Sequence, residues 1–277
     1  MITRRDGNAV PYKMVALDLD ETLLNAEFKI SSRNQEAIRL VVEKGVLVTI
    51  ATGRMYRSAV RYARELKMDL PLILYHGAMI KEAVSGEMIR YSPVPMELAL
   101  EILQFTAEEN YHVNLYIDDR LYVHTETEES RFYQTIAPIP VEPVGDLRAF
   151  LTQKGIQPAK LSIINRDGRM EGLQHYLEEK YAGRLTVLQS RPHFLEITSM
   201  EATKGQALKY LGDMRNIEVK DIVAIGDSYN DIDMLRFAGM GVAMANAPAA
   251  VKAAADFITD SNVDDGVATF LERYILS

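Results

Sequence analysis

The sequence predicts an α/β fold: a parallel sheet with helices on both faces, interrupted by an inserted α+β segment. Three observations predict it. At both ends of the chain, β-branched apolar runs of strand length alternate with stretches of helical period, the pattern of a parallel sheet wrapped by helices. The middle instead carries β-rich runs facing each other across a turn, as an antiparallel hairpin does. The strand-like runs at the two ends finish on polar residues, and open parallel sheets bind ligands at the carboxyl ends of their strands.

The elements follow in order. Met14–Leu19 is a buried strand by composition. Ser31 or Ser32 caps a helix to about Lys44, with Ala37, Ile38, Val41 and Val42 at helical spacing, and Gly45 stops it. Val46–Thr52 is a second β-branched strand, a helix runs from about Met55 to Lys67, and Leu70–Tyr75 is a third strand. In the middle, His112–Thr125 reads as a hairpin turning at Asp118, Asp119 and Arg120, with further strands at Ala159–Asn165 and Arg184–Ser190. The far end returns to βα units. A helix covers Thr203–Leu211, strands cover Asp221–Gly226, Gly241–Ala245 and Asp256–Thr259, and helices cover Tyr229–Phe237, the segment from Pro248, and Gly266–Tyr274. The expected architecture is a Rossmann-like core over residues 1–82 and 196–277, with an inserted α+β domain over 83–195. The crossings near Ala83–Pro95 and Ser190–Met200 contain the Gly, Pro and Ser of linkers. The leader Met1–Lys13 has two readings, disorder or packing, and its composition favours disorder.

Composition narrows the function. The 277 residues suffice for two domains, and 48% hydrophobic with 25% charged residues describes an ordinary globular chain. There is no cysteine, so neither a disulfide framework nor thiolate chemistry is available. No apolar run reaches the roughly 18 residues of a membrane span, and the first residues lack the apolar core of a signal peptide. The expectation is a cytoplasmic protein with no membrane partner. A net charge of −8 argues against nucleic acid. The local run RMYRSAVRYAR is read as a solvated helix surface at Arg61 and Arg64. No G-x-x-x-x-G-K-[ST] loop, no G-x-G-x-x-G after a strand and no H-E-x-x-H occurs.

The stretch MVALDLDETLLN ends a strand on Asp18, Asp20 and Glu21, and carboxylates so close raise each other's pKa. Either the cluster is solvated or something cationic belongs there. Other strand ends and helix starts carry complementary groups: Thr52, Gly53 and Arg54 after the second strand, Lys204 at a helix start, and Asp227, Asn230 and Asp231 in GDSYND. Hard oxygen donors suit Mg2+, which would relieve repulsion among Asp18, Asp20 and Asp227. An ionised Asp18 could then attack phosphorus. Asp20 could protonate the leaving oxygen and later deprotonate water. Thr52, nearby backbone amides and Lys204 would bind the phosphoryl oxygens. Taken alone, Asp227 or Asp231 reads as a turn or N-cap residue and Lys204 as an exposed lysine; the other motifs, and for Lys204 the family order given next, outweigh that reading.

DLDETLL resembles motif I, DxDxT, of the haloacid dehalogenase-like hydrolase superfamily. Thr52 in TIATGR resembles its motif II, Lys204 in ATKGQAL its motif III, and GDSYNDIDML its motif IV, in the family order over residues 14–277. The insertion between motifs II and III resembles a C2-type cap, similar to the Cof-like subgroup of sugar-phosphate phosphatases. The resemblance implies Asp18 as nucleophile and metal ligand. It implies Asp20 as acid/base, binding metal through its backbone carbonyl, and Asp227 as a direct ligand. Asp231 would support the metal and orient Lys204, and Asn230 would bind phosphate or support the metal. An aspartate two after the nucleophile marks phosphatases and mutases rather than dehalogenases.

Two positions depart from the subgroup. His76-Gly77-Ala78 stands where Asn-Gly-Ala is common, so His76 has two readings, a substrate contact or a local hydrogen bond. Ala245 stands where glycine is frequent, leaving Asn246 near the site. Arg54, His76, Asn246 and Arg191 are the candidate substrate contacts, with His193 beside the last. Around the hairpin, Tyr116, Asp118, Asp119, Arg120, Tyr122 and His124 include cap contacts, but alternation turns only half of them one way. The expected activity is Mg2+-dependent hydrolysis of small phosphorylated metabolites, sugar phosphates or similar. The alternatives are a phosphomutase and a catalytically silent phosphometabolite-binding protein.

Overall fold

The structure is a computed structural model, and it describes residues 12–67, 71–166 and 170–277. The leader through residue 11 and the predicted strand start at Leu70 lie outside the described residues. The chain forms two compact units. One comprises the described residues of Met1–Gly53, Ala59–Ile89 and Thr203–Ser277; the other comprises those of Arg54–Ser58 and Arg90–Ala202.

The first unit begins with β1 (Met14–Leu17), α1 (Ser32–Glu43), β2 (Leu47–Ile50), α2 (Tyr56–Glu65, whose first turn groups with the second unit) and β3 (Leu72–Leu74). The Ser31 hydroxyl accepts from Asn34 N–H at 3.1 Å and starts α1. Gly45, at φ +82°, ends it in a conformation that costs glycine little. Ala37, Ile38 and Val41 are buried as the helical period predicts, but Val42 is 44% exposed and lies on the solvent side. A hairpin then follows, β4 (Met79–Lys81) and β5 (Met88–Tyr91). β5 and the turn before it fall within the crossing expected near Ala83–Pro95, where Ser85 and Gly86 are turn residues.

The second unit contains α3 (Met96–Glu108), β6 (His112–Ile117), β7 (Arg120–Val123), α4 (Glu128–Ile136), β8 (Val141–Pro143), α5 (Leu147–Lys154), β9 (Lys160–Ile164), α6 (Met170–Lys180), β10 (Leu185–Arg191) and β11 (Phe194–Ser199). Its six strands lie in the order β10-β11-β9-β6-β7-β8. Alternation divides the sheet into two faces. Val113, Leu115, Ile117, Leu161, Ile163, Leu195 and Ile197 pack with the helices into one core. Asn114, Tyr116, Lys160, Ser162 and Glu196 take the alternate positions. β11 is a correction: the segment read as the return crossing is a strand, and the Arg191–Phe194 pairing shows that Pro192 and His193 form its hairpin turn. The predicted hairpin at Asp118 and Asp119 is present, with both residues at positive φ as a tight two-residue turn requires.

The chain returns through α7 (Lys204–Met214), β12 (Ile222–Gly226), α8 (Ile232–Phe237), β13 (Met240–Ala243), α9 (Ala249–Ala254), β14 (Phe257–Ile258) and α10 (Gly266–Leu271). The parallel sheet runs β14-β13-β12-β1-β2, and every residue of β1 and β12 is buried. That is why these strands read as continuous apolar runs rather than alternating ones. β3 joins this sheet through an Ala51–Ile73 bridge and pairs antiparallel with β4. Among the described residues, no helix is long and apolar enough to cross a membrane.

Candidate active site

Four acidic or basic side chains converge at the carboxyl ends of β1 and β12 and the start of α7. Leu17 and Ile225 are register partners, so Asp18 and Asp227 leave neighbouring strands together. The Asp18 N–H donates to the Ile225 carbonyl at 3.0 Å, which extends the pairing to the first carboxylate. The chain then turns sharply through Leu19–Leu23, with Glu21 at φ +61°. Leu19 and Leu23 are driven into the core and Glu21 outward to solvent. Thr22 is buried too, and its hydroxyl donates to Asp227 Oδ1 at 2.6 Å, tying the two strand ends together.

Lys204 opens α7, which Thr203 caps through its side chain. Its side chain is fully enclosed, and Nζ lies 2.5 Å from Asp18 Oδ1 and 2.6 Å from Asp231 Oδ1. Asp231 Oδ2 accepts from the N–H groups of Asp227 at 3.0 Å and Ser228 at 2.9 Å. Both Asp231 oxygens are therefore occupied by protein donors. Gly226 makes this possible, since a Cβ there would lie 2.5 Å from Asp231 Cγ.

The electrostatics follow from burial. Burial pushes the Asp18 carboxyl well above the usual range; Lys204 pulls it down, and Asp231, Asp227 and Asp20 push it up again. Burial, then Asp231, raises Asp227 to about 7, against the Thr22 hydrogen bond and Lys204. Burial opposes the Lys204 ammonium, but Asp18 and Asp231 outweigh it and hold its pKa above that of ordinary lysine. One buried cation thus faces three buried carboxylates, and the cluster is short of positive charge.

Oxygens of Asp18, Asp227 and Asp231 lie within 4.8 Å of one another. With Asp231 spent on Lys204 and two amides, Asp18 and Asp227 each keep one oxygen that meets no donor among the described residues. Hard oxygens, excess negative charge and few protein ligands fit a hard divalent cation that retains waters. Asp20 is half-buried on the same turn.

The other predicted residues fall in three places. Thr52 is fully buried at the end of β2; its N–H donates to the Ile73 carbonyl at 2.9 Å, and its carbonyl accepts from His76 N–H at 3.0 Å. Gly53 follows it, and the His76 ring lies against its α-carbon, where a Cβ would meet Cε1 at 2.3 Å. Asn230 Nδ2 lies 3.0 Å from His76 Nδ1. Asn246 is exposed and engaged with backbone: its Nδ2 donates to the Glu21 carbonyl at 2.8 Å and its Oδ1 accepts from Asn262 N–H at 3.1 Å. Arg54 and Arg191 belong to the second unit, Arg54 donating to Ser58 Oγ at 3.3 Å and Arg191 pairing with Phe194 at the end of β10. Arg61 and Arg64 are exposed on α2, in keeping with a solvated face.

Within the second unit, Tyr122 joins the helix-packed core against Phe150. On the opposite face of that sheet, Lys160 Nζ lies 2.6 Å from Glu196 Oε2 and 4.9 Å from the Tyr116 ring centre, while Ser190 Oγ donates to Glu196 Oε1 at 3.1 Å. Sequence reasoning missed the Lys160–Glu196 pair, whose partners stand on different strands with no local signal between them. Thr22 was missed as a partner of Asp227, although it is the threonine of DxDxT.

Residues 15–271 match the haloacid dehalogenase-like hydrolase family, and the chain belongs to it. Among its relatives is the Bacillus subtilis 5-amino-6-(5-phospho-D-ribitylamino)uracil phosphatase YwtE, 33% identical over 95% of this chain and 98% of that protein. A second B. subtilis phosphatase of the same name, YitU, is 31% identical over 95% of this chain and 97% of its own length. A haloacid dehalogenase-like hydrolase from Bacteroides thetaiotaomicron has the same fold, with a TM-score of 0.85 and 32% identity over 95% of this chain and 99% of that one.

Proposed function

We propose that this hydrolase is a Mg2+-dependent phosphatase of small phosphorylated metabolites, sugar phosphates or related phosphorylated polyols, working through an aspartyl-phosphate on Asp18. The observation that carries the reading is the fully buried Lys204 ammonium bridging Asp18 and Asp231, with the Asp227 carboxylate beside them. A buried ion cluster with two spare carboxylate oxygens is a poor device for stability and a good one for holding a phosphoryl group beside a cation.

Asp18 and Asp227 would hold the metal, with the Asp20 backbone carbonyl. When bound, Mg2+ neutralises charge on the transferring phosphoryl group and keeps Asp18 ionised. The remaining chemistry belongs to side chains. One oxygen of the Asp18 carboxylate attacks phosphorus while the other is left for the metal, the bond to the leaving oxygen breaks, and Asp20 delivers a proton to that oxygen. Asp20 then takes a proton from water as the water oxygen attacks the same phosphorus, which frees phosphate and restores Asp18. Lys204 steadies Asp18 throughout and, with Thr52, Gly53 and Asn230, meets the phosphoryl oxygens. Asp231 serves by fixing Lys204 and the 227–228 backbone. The second unit is proposed to supply substrate selectivity. The names of YwtE and YitU support a phosphorylated polyol as the first substrate class to try.

The experiment is phosphate release from a panel of phosphorylated sugars, polyols, nucleotides and cofactors, with Mg2+ and with EDTA. Release that depends on Mg2+ is expected. A folded protein that frees no phosphate from any of them, or frees it equally in EDTA, contradicts the reading.

A further inference from the structure

His76 occupies an unusual backbone position. Tyr75, His76 and Gly77 follow β3 with φ of 50°, 59° and 105°, three positive values in a row. Two of these residues are not glycine, and such conformations persist only where the surroundings enforce them. The enforcement is visible. His76 N–H donates to the Thr52 carbonyl, and a Cβ on Gly77 would lie 2.2 Å from the Thr203 carbonyl oxygen. The turn is therefore wedged between the Thr52 loop and the start of the helix that carries Lys204.

The result of that strain is the placement of one imidazole. His76 is 7% exposed, and its ring covers Gly53 and puts Nδ1 3.0 Å from Asn230 Nδ2. An amide nitrogen only donates, so Nδ1 is the acceptor and the neutral ring carries its proton on Nε2. On the same amide, Asn230 Oδ1 is buried and meets no donor among the described residues. A buried acceptor left open beside the Thr52–Gly53 loop costs free energy unless something else supplies the hydrogen.

We propose that His76 is a positioning residue for Asn230. The neutral Nε2–H imidazole holds the amide in one of its two orientations, so that Oδ1 and the second Nδ2 proton are presented together to the reacting phosphoryl group and its bound water. This rests on the phosphatase reading for its consequence, though not for its geometry. Without the ring, the amide turns over freely and spends part of its time with donor and acceptor exchanged.

Two measurements test it. The first is 15N NMR of the ring nitrogens in the full-length protein at neutral pH, with His76→Asn identifying the His76 signals. The expected result is an unprotonated Nδ1 and a protonated Nε2, and in Asn230→Asp a shift of the proton to Nδ1, since a carboxylate cannot donate. A protonated Nδ1 in the wild type, or a signature unmoved in Asn230→Asp, overturns the proposal. This arm stands whether or not phosphate release is found. The second is a double-mutant cycle on kcat/KM. His76→Ala is expected to lose roughly tenfold to a hundredfold, the usual scale for a residue that orients a ligand-binding group. His76→Ala in an Asn230→Ala background is expected to lose little more. Fully additive losses show that His76 does not act through Asn230 and refute the assignment.

Discussion

Replacing Lys204 with methionine removes the cation that, among the described residues, sits inside the acidic cluster, while nearly preserving volume. The ammonium is fully enclosed and lies 2.5 Å from Asp18 and 2.6 Å from Asp231. Removing one partner of a buried ion pair costs about 3–5 kcal/mol, because the other charge stays buried without compensation. Here two carboxylates are stranded together, so the upper end applies in the metal-free protein at pH 8. Total stability of a domain is about 5–15 kcal/mol, so the loss takes roughly a third of it or more. The penalty should depend on pH with a definite sign. Asp18 and Asp227 already titrate above their ordinary range, and losing Lys204 raises both further. The folded state of the variant then binds protons that the unfolded chain releases, so its stability falls as pH rises. Urea unfolding in EDTA at pH 5 and pH 8 measures this. Lys204→Met should lose more at pH 8 than at pH 5, and the added change Asp231→Asn should restore part of the loss at pH 8. A variant as stable as wild type at pH 8, or a penalty equal at both pH values, refutes the argument that Lys204 is there to hold ionised carboxylates. Turnover should fall by at least the roughly 10²–10³-fold that loss of one charge-stabilising donor costs.

The wild type carries a milder form of the same dependence. In EDTA its stability should decline between about pH 4, where an unfolded aspartate titrates, and the value near 7 reached by folded Asp227. Added Mg2+ should therefore raise Tm more at pH 8 than at pH 6, a comparison that differential scanning fluorimetry makes directly; an equal rise at both would separate the cation from these carboxylates. In the second unit, Glu196→Gln leaves the Lys160 ammonium, whose side chain is 5% exposed, without its carboxylate. It should cost about 3 kcal/mol in denaturant unfolding, and a loss below about 0.5 kcal/mol, the scale of a surface pair, would contradict the pairing.

Much of this arrangement was legible because strand ends advertise themselves by residue type. DLDET after an apolar run, TGR after a β-branched run and GDSYND after another place polar groups where a parallel sheet binds ligands, and helix starts at Ser31 and Thr203 are marked by their hydroxyls. What stayed hidden depends on tertiary placement. The role of Lys204 was legible from the motif order, but its complete enclosure was not. The Thr22–Asp227 bond spans most of the chain, and Lys160 meets Glu196 only because β9 and β11 are neighbours. The strand β11 was readable in the alternation of Leu195 and Ile197 with Glu196 and Thr198, but Pro192 beside it signalled a crossing. The β4–β5 hairpin lacked even that alternation. His76 carried no signal for its left-handed conformation, which the packing of Gly77 against Thr203 imposes.

The covalent role proposed for Asp18 is the centre of the proposed mechanism. Rapid acid quench during turnover of the best substrate in Mg2+, followed by peptide mapping, tests it most directly. The expected result is a phosphoryl group on the peptide spanning Met14–Asn25, located on Asp18 and absent in Asp18→Asn, which should keep its fold and lose turnover. Steady phosphate release with no phosphorylated peptide, or with near-full activity in Asp18→Asn, would contradict it.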